Sequence, residues 1–127
     1  MALRGTALPA NIYIYFPAVD DGRDREDFAE AIEEFFGDAA QDCGAGTGVG
    51  GFNLDYELSD DEDPHAWSDR LKPFLASIAV PRGTAFTTFP DDWDTGKEWR
   101  CVCVYGQDVR LTDDPVQVVR GITGRCP

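Results

Sequence analysis

The chain has 127 residues, 43% hydrophobic and 28% charged, which suits a single globular domain over 1–127 that can bury a core of its own. Its net charge is -13, and the first 65 residues hold all of the excess: 16 acids there face only Arg4, Arg23 and Arg25, whereas 8 acids balance 8 bases over 66–127. A field of that sign repels phosphate backbones and argues against nucleic acid as a ligand, while it attracts a basic protein surface.

Residues 11–16 are β-branched and aromatic and end at Pro17, which predicts a strand. Alternation puts Ile12, Ile14 and Phe16 on one face and Tyr13 and Tyr15 on the other. Residues 24–36 predict a helix. Asp24 is the N-cap, acids fill the first turn, and Phe28, Ile32, Phe35 and Phe36 form an apolar stripe before Gly37.

The stretch 43–51 holds five glycines in nine positions. Gly46, Gly48 and Gly51 satisfy G-x-G-x-x-G, but the run follows a helix and leads into a strand. The helix N-terminus that would meet a pyrophosphate is therefore missing. A short strand with a turn or bulge near Gly50-Gly51 is the expectation. Residues 52–58 alternate strictly. Phe52, Leu54, Tyr56 and Leu58 point to a core, and Asn53, Asp55 and Glu57 point away from it.

Asp63-Pro64 reads as an N-cap followed by proline at the first helical position. Trp67, Leu71, Phe74, Leu75 and Ile78 continue at helical spacing, with Pro73 expected to kink or restart the helix near Lys72. Strands are expected at 84–89 and 97–105, separated by an acidic loop with Asp91, Asp92 and Asp94. The segment 107–127 is an extension in which 116–119 could form a further short element. Two helices and four or five strands make a two-layer α/β (α+β) sandwich. Over about 10–105 the order resembles the ferredoxin-like βαββαβ arrangement, with an extra C-terminal strand and a mostly antiparallel sheet.

The usual chemical constellations are missing. Neither acidic cluster has calcium-loop spacing. Cys101-x-Cys103 lacks the second pair of a zinc tetrad, and His65, the single histidine, has no nucleophile placed beside it. No catalytic residue, metal or cofactor is assigned. No run approaches the ~20 apolar residues of a membrane span, and the apolar run at 12–16 is too short for a secretory leader. The expectation is therefore a soluble cytoplasmic protein with four free thiols.

What remains is the sheet face turned away from the helices. Asn53, Asp55 and Glu57 lie there with Tyr13 and Tyr15, and Trp99 and Tyr105 are further candidates. Carboxylates and aromatic rings both attract cations. These residues, with Asp60, Asp61 and Asp63 as steering charges, are read as the binding surface of a small acidic non-enzymatic protein with a basic protein partner. In size and acidity the chain resembles small immunity or inhibitor proteins. The alternative is a small enzyme or ligand-binding domain using Asp55 or Glu57 on the same face, and a third is self-association along the 97–105 edge.

Overall fold

The computed structural model describes residues 10–18, 22–48, 51–89, 99–111 and 126–127. Its elements run β1 (Asn11–Pro17), α1 (Arg25–Phe36), β2 (Ala40–Gly48), β3 (Gly51–Leu58), α2 (Pro64–Ser77), β4 (Ala85–Phe89), β5 (Trp99–Cys103) and β6 (Val109–Leu111). The strands form one sheet in the order β2-β3-β1-β4-β5-β6, and every pairing is antiparallel. The first four strands with their two helices are the expected ferredoxin-like arrangement. β5 and β6 then extend the sheet beyond β4, one strand more than the sequence reading proposed. Among the described residues β5 therefore has a neighbour on each side and is not the edge strand that the self-association reading needs.

Local chemistry explains the helix ends. Asp24 accepts from the Asp27 backbone amide while the Asp27 carboxylate accepts from the Asp24 amide, a reciprocal capping box. Gly37 closes α1 with φ 57°, a conformation glycine adopts without steric cost. Asp63 caps α2 through the His65 amide, with Pro64 in the first turn. At the far end of α2, Arg23 donates to the carbonyls of Ile78 and Ala79 at 3.0 and 2.8 Å. A cation there satisfies carbonyls that the helix leaves unpaired.

α2 continues through Pro73 rather than restarting at it. Pro73 and Asp69, the residue whose carbonyl loses its helical donor, are both exposed. Water can take the place of the missing bond, and the packing of Trp67, Leu71 and Leu75 holds the helix on both sides of it.

Both helices lie against one face of the sheet. Ile12, Ile14 and Phe16 of β1 join Phe52, Leu54, Tyr56 and Leu58 of β3 beneath Phe28, Ile32, Phe36, Leu71 and Leu75. A fully buried side chain of this size contributes about 1.5–3 kcal/mol. Phe16, Phe28 and Phe52 stack on one another, with ring centroids 4.6–5.9 Å apart. Gly51 cannot be replaced in this frame: its φ is +139°, and a Cβ would sit 2.0 Å from the Phe16 carbonyl oxygen.

The cysteine expectation is corrected. Cys103 and Cys126 form a disulfide, and Cys43 and Cys101 are free. Pro127 is fastened by the same bond, since its carbonyl accepts from the Gly83 amide at 2.9 Å and its ring lies against Gly106. Among the described residues no helix is long and apolar enough to cross a membrane. Asp91, Asp92, Asp94 and the 116–119 segment lie outside the described residues.

Candidate functional site

The sheet face opposite the helices has two halves. Cross-strand register places Gly44, Asp55, Tyr13, Thr87 and Cys101 in one row across β2, β3, β1, β4 and β5. The parallel row holds Gly46, Asn53, Tyr15, Ala85 and Cys103. On β4 and β5 these positions are closed to solvent: Ala85, Thr87 and Cys101 are 0% exposed and Cys103 is 2% exposed. On β1 and β3 the face is partly accessible, since Tyr13, Tyr15, Asn53 and Glu57 are all half-buried.

Asp55 is the exception in that accessible half, at 9% exposed. Alternation along β3 does place it on the face away from the helices, as expected, but its neighbours cover it. Tyr13 lies directly opposite on β1. The Asn11 amide nitrogen donates to Asp55 Oδ1 at 3.2 Å and to Cys43 Sγ at 3.4 Å. The Cys43 thiol in turn donates to the Asp55 main-chain carbonyl at 3.6 Å. Cys43 reaches this position because the β2–β3 register slips between Asp42 and Gly44, a bulge that leaves one extra residue on β2.

Burial pushes the Asp55 carboxyl above the usual carboxylate range, and the charges of Asp42 and Glu57 push the same way against hydrogen bonds from Asn11 and Cys43. Among the described residues no cationic side chain is one of the groups that set its ionisation. Desolvation first, and then Asp55, raise the Tyr13 phenol. The Cys43 thiol is pushed up to about 12 by burial and by the same carboxylate. The cluster is thus a carboxylate withdrawn from water, with neutral hydrogen-bond donors around it and acids beyond them.

Two features leave Asp55 approachable. Gly44 and Gly46 present no side chains on the β2 flank of this face; a Cβ at Gly44 would make only ordinary contact, 4.0 Å, with Asp55 Cβ. On the other flank the rings of Tyr13 and Tyr15 are stacked, with centroids 5.8 Å apart. Thr87, opposite Tyr13 on β4, has a buried hydroxyl with no hydrogen-bond partner among the described residues.

The other predicted residues fall as follows. Asn53 and Glu57 flank Asp55 along β3. Asp60, Asp61 and Asp63 are exposed in the turn leading to α2, where Asp63 is also the N-cap. Tyr105 is not on this face: it packs on the core cluster and its hydroxyl donates to the Val80 carbonyl. The Trp99 side chain lies outside the described residues. Asn11 was missed, although it shares the parity of Tyr13 and Tyr15 on β1. Cys43 carried no sequence signal, since its place depends on the bulge. Among the described residues no group of three or more His, Cys, Asp and Glu side chains could hold a metal.

No family model matches the chain, and neither a curated protein nor a solved structure is significantly similar to it.

Proposed function

We propose that this is a non-enzymatic binding protein whose accessible half-face, on β2, β3 and β1, recognises a basic protein. One lysine or arginine of the partner would meet Asp55, with the stacked rings of Tyr13 and Tyr15 beside it and Glu57 and Asn53 at the rim. Asp60, Asp61 and Asp63 would raise the encounter rate from a distance. The observation that carries this reading is the burial of Asp55 with no cation beside it among the described residues. A desolvated carboxylate costs stability unless it is paired, and a partner's cation would supply the missing charge. The chain's size and acidity are those of small immunity or inhibitor proteins, which is the type of task we assign to it.

The raised ionisation of Asp55 also favours a second reading, a small-ligand or catalytic site with Asp55 as base. The disulfide bears on location. It suits an oxidising compartment better than the reducing cytoplasm expected from the sequence.

Capture from the source cell with the wild type and with an Asp55→Lys, Glu57→Lys variant tests the proposal. The expected result is a basic protein held by the wild type, released by salt and lost with the variant. Identical captures by both proteins, or no salt-sensitive capture at all, would refute it. The second reading predicts that second outcome.

A further inference from the structure

The accessible half-face ends at a sheet edge with chemistry of its own. β2 stands at one end of the strand order and pairs on one side only. It is 9 residues long, against 3 for β6 at the opposite edge. Proteins commonly blunt an exposed edge by shortening it or by placing lysine or proline on it. The β2 sequence, Ala-Gln-Asp-Cys-Gly-Ala-Gly-Thr-Gly, has neither, and its one interruption is the bulge between Asp42 and Gly44. Gln41, Asp42, Cys43 and Ala45 are exposed. The outer backbone groups of β2 meet no other strand among the described residues.

Acids flank this edge on both faces of the sheet. On the helix side Asp42 lies opposite Tyr56, and Asp42 and Glu33 of α1 are both near enough to raise the Tyr56 phenol after burial has done so. On the other side are Asp55 and Glu57, the latter opposite Gln41. No lysine or arginine occurs anywhere between Arg25 and Arg70. Side chains of an added strand alternate between the two faces, so cations at alternate positions meet carboxylates in either register.

We propose that the β2 edge takes up an extended, lysine- or arginine-rich segment of the basic partner as an added strand. Backbone hydrogen bonds supply the docking and the flanking acids select the charge. A second copy of the chain is the wrong occupant, because pairing two such edges brings together protomers of charge -13 each. The inference rests on the partner being basic, as in the proposed function, but not on Asp55 being its anchor.

The test uses a peptide of six Lys-Thr repeats and the same peptide N-methylated at every residue, which keeps the charge but cannot donate backbone hydrogen bonds. Hydrogen exchange of the intact protein is read at low salt. The expected result is protection of the amides of residues 41–46 by the first peptide, with affinity for the second weaker by roughly tenfold or more. Equal affinity for both peptides without protection of β2 overturns strand addition and leaves the Asp55 reading standing, as does failure of the first peptide to bind. Protection of β2 that persists unchanged in Asp55→Asn supports strand addition and removes Asp55 as the anchor.

Discussion

The two halves of the sheet face turned away from the helices handle polar groups in opposite ways. On β4 and β5 the face is closed. Ala85, Thr87, Cys101 and Cys103 are sealed from water, and the Cys103–Cys126 bond fastens the chain's last described residues beside them. On β3 and β1 the face is only half covered, yet it contains the one buried carboxylate of the described residues. The closed half is built for stability. The half-covered one keeps a charge whose burial works against stability, and such exceptions to sound packing are where function is to be sought.

A charge introduced on each side should break or confirm this contrast. Thr87→Asp puts an ionisable group at a position with 0% exposure and should cost at least ~3 kcal/mol, enough to unfold a marginal domain. Asn53→Asp, on the half-covered side, should stay within about 0.5–1 kcal/mol of the wild type. Chemical denaturation of both variants reads the difference, and equal losses would erase the distinction.

The disulfide closes a loop with a sequence separation of 23. Cys126→Ser should cost about 2–4 kcal/mol, visible as a lower denaturation midpoint, while the Tyr13, Tyr15 and Asp55 surroundings keep their NMR shifts. A spread of shift changes into β1 and β3 would show that the halves are coupled.

Asp55→Asn should act in the reverse direction to most core substitutions. The folded carboxyl binds its proton more tightly than the unfolded one, because its ionisation is raised above the model-peptide value of 3.8. Its contribution to stability is therefore full below that value and is lost as pH rises through the raised one. At neutral pH Asp55→Asn should leave the melting temperature unchanged or raise it, and the advantage should fade below pH 3.8. A destabilised variant at pH 7 would mean that ionised Asp55 is already well paired. Against a cationic partner the same substitution should cost about 2–5 kcal/mol of binding, at least ~30-fold in Kd. Gly44→Val should also weaken binding while the protein stays folded, since a Cβ there fits at ordinary contact distance from Asp55.

The smallest expected effect is on Cys43. The residue is exposed, yet partial desolvation of its thiol and the neighbouring Asp55 hold it protonated to about 12. At pH 8 iodoacetamide should modify it far more slowly than a model thiol, because only the thiolate reacts. Asp55→Asn should speed the reaction. No change of rate would place the carboxylate's influence elsewhere.

Much of the fold could be read from local periodicity. Phe28, Ile32 and Phe36 report α1, and the alternation from Phe52 to Leu58 reports both β3 and its core face. Elements that depend on distant partners were less legible. Three glycines and small residues give β2 little strand propensity of its own, and it extends to Ala40 because β3 offers a complete ladder to pair with. Pro73 promises a break that exposure and flanking core contacts make unnecessary. The Cys103–Cys126 bond follows from where β5 and the final residues meet in space, which spacing along the chain does not reveal.

The candidate site divides in the same way. Parity assigned Asn53, Asp55, Glu57, Tyr13 and Tyr15 to one face, and the register of β1 with β3 brings them together there. Depth was not legible. Asp55 is covered and Glu57 half-exposed because only Asp55 has Tyr13 opposite it and the displaced Cys43 beside it, and that displacement arises from pairing rather than from any residue type.

The account depends on Asp55 being a carboxylate left without a counter-charge. Its side-chain carbon signal, followed by NMR against pH in the free protein, measures this directly. The midpoint should lie above the ordinary 3.8; a midpoint at or below that value would show a carboxylate already satisfied by its own neighbours and would contradict the account.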